Sequence, residues 1–186
     1  MPVGRPAKRP AAVAPSAARR SVRGGRGAPD GAGPVPYDRA VVTFFVERTA
    51  PLPPDEAWRR LTEWHRHGEV VPLTRVTVTT PPPTRRGTLF VARTGVGPLA
   101  FDDPMEVTVW QPPRDGTPGR CRLEKRGRAI TGWAEIEVRP GPGGRARVVW
   151  REEVRVRFLP GLFDGALRRA ARYVFGRAAN RLLRMP

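Results

Sequence analysis

The stretch VVWREEVRVRF, residues 148–158, alternates like a strand and sets a carboxylate among apolar neighbours. One face carries Val148, Trp150, Glu152, Val154, Val156 and Phe158; the other carries Val149, Arg151, Glu153, Arg155 and Arg157. The second face is wet. Burying an unpaired charge is costly, so Glu152 has a partner, lines a wet cavity, or marks a slip in register. As a cavity group it would orient a ligand or act as a base, with its pKa raised by partial burial. As a structural group it would pair with a cation, and Arg93, sharing a face with Leu89 and Val91, is the candidate.

Few other residues could do chemistry. Asp102 and Asp103 in LAFDDPM are paired carboxylates. Held near a substrate such a pair does acid–base work, with Asp103 the candidate, but neighbours in sequence point apart and Asp before Pro is an ordinary turn. His65 and His67 are the only histidines. Two apart on a helix they share no face, so no metal site is expected. His65 is expected at a solvent-facing helix end. RTGVGP, residues 93–98, lacks the spacing and strand-to-helix context of a nucleotide loop; it reads as a bulge or pocket lid, and no cofactor is expected. Both serines, Ser16 and Ser21, stand near the start of the chain, away from any GxSxG elbow. Cys121 shares an apolar register with Leu123 and reads as a small buried hydrophobe. Trp64, Trp110, Trp133 and Trp150 pack a core by default; Trp150 is in the inward register, while Trp110 and Trp133 fall outward. Tyr173 could offer a hydroxyl to a ligand.

The elements that must position these groups follow from periodicity. Residues 40–49 make a strand with Val42, Phe44 and Val46 on one face. A helix of about 14 residues starts near Pro53 and Pro54, carries Ala57, Trp58, Leu61 and Trp64 or His65 as an apolar stripe, and ends at Gly68, with room for a second short turn before Pro72. Strands are expected at 74–80, 88–94, 104–110, 120–126, 129–138 and 145–158, with PGPGG at 140–144 as a hairpin turn. Short connections imply a mainly antiparallel sheet. Residues 161–184 form the longest helix, with Leu162, Ala166 or Leu167, Ala170, Val174, Ala178 and Leu182 as its stripe. In AITGWAEIEV the core face reads Ile130, Gly132, Ala134, Ile136 and Val138. Small residues in mid-strand mean either very close packing or an unfilled pocket.

Composition sets the bounds. Residues 1–37 are rich in Pro, Gly, Ala and Arg, have no hydrophobic periodicity, and are expected to be disordered. They contain no apolar signal core, and no later run would span a bilayer, so a folded, cytoplasmic domain is expected over 38–186. One cysteine excludes an internal disulfide. The net charge of +17 invites a nucleic-acid reading. Yet only Lys8 and Lys125 among 34 basic residues are lysine. An Arg-rich bias accounts for the charge, and no nucleic-acid motif accompanies it. No specific nucleic acid is expected; the leading segment is left with weak contact to anionic surfaces.

The order of strand, helix, six strands and long helix resembles the START-like (SRPBCC) superfamily, the helix-grip fold of polyketide cyclases and lipid-transfer domains. The resemblance covers most of residues 40–184. It rests on PPDEAWRRLTEW after the first strand, VVPLTRV, FDDPMEVTVW, ITGWAEIEV, VVWREEV and the final helix. It implies an α+β helix-grip fold, a curved antiparallel sheet of six to seven strands around a long C-terminal helix, with a hydrophobic cavity between. Trp150, Gly132, Ala134, Ile136 and Val174 would line that cavity, and Glu152, Arg93 or Tyr173 would orient the ligand. The implied function is binding of a lipid, quinone or polyketide-like molecule. The alternative is a cyclase or aromatase using Glu152 or Asp103, and a third reading, from the charge alone, is a basic interaction module for nucleic acid or an anionic membrane.

Overall fold

A computed structural model describes residues 39–157 and 159–185. The expected disorder of residues 1–37, and the side chain of Phe158, lie outside the described residues. The elements run β1 (Arg39–Ala50), α1 (Pro54–Thr62), α2 (Trp64–Val70), β2 (Thr74–Val78), β3 (Leu89–Thr94), β4 (Phe101–Gln111), β5 (Gly119–Arg126), β6 (Ile130–Pro140), β7 (Ala146–Arg157) and α3 (Asp164–Arg184). The seven strands form one curved antiparallel sheet in the order β1-β7-β6-β5-β4-β3-β2. The fold is the α+β helix-grip arrangement.

Alternation places the inner face as expected on β1 and β7. Val42, Phe44 and Val46 are buried, and so are Val148, Trp150 and Glu152. Across the β1–β7 pair Phe44 lies opposite Glu152 and Val46 opposite Trp150. The helix after β1 is two helices, not one. Glu63 adopts a non-helical conformation between them, and Gly68 sits inside α2 instead of ending a single helix. The break lets α1 and α2 follow the curve of the sheet: α1 packs on β5, β6 and β7, and α2 packs on β2. Asp55 and Glu56 occupy the first turn of α1, where carboxylates suit the dipole.

β4 begins at Phe101, three residues before the expected strand, so Asp102 and Asp103 stand within a strand and not in a turn. A bulge between Val107 and Val109 shifts the pairing with β5. Below it Val107 faces inward; beyond it Trp110 pairs with buried Cys121. One extra residue thus turns Trp110 from the outer to the inner face, where it meets Trp58 at 5.0 Å. Trp133 keeps its outward place under the Arg122 guanidinium, 4.3 Å away. The RTGVGP segment is a tight connection with a short 3₁₀ turn, Gly97–Leu99. Gly95 there has φ +118°, and an added Cβ would lie 2.7 Å from the Ala100 backbone.

Gly132 is needed for the same reason. It holds φ +129°, and a Cβ would fall 2.0 Å from the Glu153 carbonyl oxygen on β7. Only glycine tolerates this conformation without strain. Gly132→Ala is expected to cost about 1–3 kcal/mol, read as a lower midpoint in urea unfolding; an unchanged midpoint would contradict this account of the bend.

The core is solid at one end. The last turns of α3 bury Ala178, Ala179, Leu182 and Leu183, alongside Leu61, Ile136 and Val138. Arg48 on β1 fastens this end, donating from Nε to Asn180 Oδ1 at 2.6 Å. The first half of α3 stands away from the sheet: Ala166 and Ala170 are exposed, and Leu162, in the 3₁₀ turn just before the helix, is 79% exposed, so the apolar stripe read from the sequence is only half used as core.

Candidate functional site

The hollow under the first half of α3 measures about 340 Å³. Its roof is Leu167, Ala171, Val174 and Phe175; its floor is the inner face of all seven strands. Aromatic rings make one wall. Phe175 meets Phe44 at 5.3 Å and Trp150 at 5.5 Å, Trp150 meets His67 at 5.6 Å, and Trp64 stacks on Phe90 at 4.8 Å.

Of the residues expected to line a cavity, Trp150, Glu152, Ala134, Val174 and Asp103 do so. Four do not. Ile136 is fully buried in the solid core, opposite Trp150 and Cys121. Gly132 is spent on the bend described above. Tyr173 is 69% exposed on the outer side of α3, in a groove with Arg48, Arg172 and Arg177. Arg93 points outward and donates to Asp102 Oδ1 at 3.0 Å. Its strand is apolar on both faces, so alternation could not choose between them; Phe90, stacked on Trp64, turns inward with Ala92 and Thr94, leaving Leu89, Val91 and Arg93 outside.

The partner of Glu152 is Lys125, not Arg93. Lys125 Nζ lies 3.1 Å from Glu152 Oε1 and donates to Asp103 Oδ2 at 2.8 Å. The three side chains are 6%, 1% and 9% exposed for Lys125, Glu152 and Asp103. Three strands converge here. Lys125 on β5 is opposite Gly132 on β6, and Glu152 on β7 is opposite Ala134. The small side chains of β6 therefore leave the lane through which Lys125 reaches diagonally to β7. Trp150 Nε1 donates to Glu152 Oε2 at 3.2 Å.

Charge in this cluster does not balance: two carboxylates face one ammonium. Burial pushes the Glu152 carboxyl above its ordinary range, and the attraction of Lys125 opposes that without cancelling it. Burial disfavours the Lys125 ammonium, but the charges of Glu152 and Asp103 outweigh it and hold its pKa above the ordinary lysine value. Asp103 Oδ1 is buried with no hydrogen-bond partner, whereas Glu152 Oε1 is held by the Lys125 ammonium.

His67 also faces the cavity, whereas His65 is exposed beside Glu63. The His67 ring donates from Nε2 to the Leu61 carbonyl at 2.9 Å. Burial lowers its pKa to about 4, with the Leu61 bond opposing. The folded chain thus holds His67 neutral while an unfolded one would take up the proton near pH 6.5. Stability from this site is present above about pH 6.5 and is lost as pH falls toward about 4. Urea unfolding at pH 7 and pH 4.5 should show His67→Phe losing less stability on acidification than the parent; equal losses would contradict this. Burial pushes the Cys121 thiol up, away from thiolate chemistry.

Lys125 was not singled out in sequence. Its signal was the alternation Cys121, Leu123, Lys125, continued one step along RCRLEKR. A second signal is that Lys125 is one of two lysines among 34 basic residues.

No family model matches the chain, and no curated protein matches it in sequence. Solved structures do. A protein from Rhizobium leguminosarum superposes with a TM-score of 0.57 at 15% identity, covering 78% of this chain and 95% of that one. The Zhui aromatase/cyclase of a Streptomyces species gives 0.53 at 13% identity, over 77% and 92% of the two chains. Norcoclaurine synthase of Thalictrum, solved with a transition-state analogue, gives 0.53 at 11% identity, over 78% and 95%. The chain has the helix-grip fold of START-like (SRPBCC) proteins. Among the described residues no helix is long and apolar enough to cross a membrane.

Proposed function

We propose that the chain binds a small apolar, aromatic molecule in the hollow between α3 and the sheet. The observation that carries this is the hollow itself: about 340 Å³ lined by Trp64, Phe90, Trp150 and Phe175 together with aliphatic side chains. A cavity of roughly 150 Å³ holds one benzene ring, so this one suits a compound of about two fused rings. Apolar burial at about 25 cal/mol per Å² supplies the affinity, and the charged cluster on β4, β5 and β7 sets orientation. The fold neighbours named above, an aromatase/cyclase and a synthase solved with an analogue, are consistent with a small-molecule partner.

A second reading is a polyketide cyclase or aromatase. It is favoured by one observation: Glu152 stands on the cavity wall beside Lys125, and burial pushes its carboxyl above the ordinary carboxylate range, which suits a group that moves protons. Native mass spectrometry of the purified chain tests the first reading. The expected result is a recurrent apolar compound released on denaturation, with a raised melting temperature when it is added back. Apo protein that no aromatic compound stabilises would overturn it.

A further inference from the structure

Resting on that binding reading, we infer that the Asp103–Lys125–Glu152 cluster is a recognition point for a hydroxyl group on the aromatic ligand. The cluster is rich in acceptors. Two carboxylates offer about eight lone-pair directions, and the donors they meet are Lys125 Nζ and Trp150 Nε1. Asp103 Oδ1 is buried with no hydrogen-bond partner, while Glu152 Oε1 has the Lys125 ammonium at 3.1 Å. Buried polar atoms are expected to find partners, and both residues line the cavity. A ligand that donates a proton here removes an unmet demand of the protein.

Lys125 narrows the choice of donor. Its ammonium has three N–H groups. One is committed to Asp103 Oδ2, one is directed at Glu152 Oε1, and the remaining neighbour is the weakly accepting Met105 Sδ at 3.8 Å. The group that suits the site therefore donates to a carboxylate oxygen and also accepts from Lys125. A hydroxyl does both. An ether or a ketone accepts only. An ammonium donates only and cannot accept from Lys125. The surrounding rings then hold the aromatic body, so the ligand class is a phenol or fused-ring alcohol and not a plain acyl chain.

The test is a fluorescence titration of the full chain, read through Trp64 and Trp150 on the cavity wall. The probes are naphthalene, 2-naphthol, 2-methoxynaphthalene and 2-naphthylmethylamine. A hydrogen bond to a charged group should let 2-naphthol bind about tenfold or more tighter than naphthalene or its methyl ether, although 2-naphthol is the less apolar molecule. The ammonium probe should bind more weakly than 2-naphthol. Asp103→Leu leaves Lys125 and Glu152 as a one-to-one pair, and should reduce the 2-naphthol preference to about threefold or less while naphthalene still binds. If that variant does not fold, the probe series on the parent chain decides alone. Equal affinity for naphthalene, 2-naphthol and the ether would overturn the hydroxyl assignment and leave the cavity reading standing. A preference that survives in Asp103→Leu, or tightest binding of the ammonium probe, would also overturn it. Failure of every probe to bind would overturn both.

Discussion

Lys125→Met is expected to destabilise the folded chain by about 3–5 kcal/mol at pH 7, the cost of breaking a buried charge pair from one side. The reason is the unequal charge count. Lys125 is the cation between Asp103 and Glu152, and all three side chains are nearly dry. Without it, two carboxylates share one buried site. Glu152→Gln should behave oppositely despite touching the same contacts. It leaves Asp103 and Lys125 as a balanced pair, and Trp150 Nε1 can still donate to the amide oxygen, so the loss should stay below about 1 kcal/mol. The pH dependence separates the cases further. In Lys125→Met the folded chain raises the carboxyl pKa values and binds more protons than the unfolded chain, so its stability should recover as pH falls from 7 toward 5. Urea unfolding of the two variants at both pH values measures this. Equal losses, or a Lys125→Met deficit that grows on acidification, would sink the charge-count account.

Ala171→Phe should abolish aromatic binding while leaving the fold intact. Ala171 faces the hollow from α3, between Leu167 and Phe175 on the same helix face. A phenyl group there occupies space that a ligand needs. Because the space is not otherwise packed, the overpacking penalty of about 1–3 kcal/mol for a filled core should not arise. The melting temperature is expected to hold or rise, and affinity for 2-naphthol to fall by about a hundredfold or more, equivalent to about 2.7 kcal/mol. Tyr173→Ala, on the exposed side of the same helix, should leave affinity unchanged. A large drop in stability of Ala171→Phe would mean that the roof is already full.

What could be read in the sequence followed how strongly each strand distinguishes its faces. β1 and β7 alternate apolar with polar residues, so Val42, Phe44, Trp150 and Glu152 were placed correctly. β3 carries Leu89 and Val91 on one face and Phe90 and Ala92 on the other, so its register was open, and Arg93 was placed inward in error. β4 alternates faithfully until its bulge, after which a local pattern predicts the wrong face for Trp110. Such a bulge is set by pairing with β5, which one strand's own residues do not encode. The small residues of β6 pointed to empty space, and the space exists, but part of it holds the Lys125 side chain crossing to Glu152. Glu152 itself stood out as a carboxylate that needed a partner, a wet cavity or a different register. Which partner depended on three strands coming together, and only the assembled sheet supplies that.

The claim on which the rest depends is that the hollow under α3 takes an aromatic guest. Intermolecular nuclear Overhauser effects between bound naphthalene and the protein's methyl groups test it directly. Contacts are expected to Val42, Ala134, Val154 and Val174, which face the hollow. Contacts to Val41 or Val78 on exposed positions, or none at all under saturating probe, would contradict it.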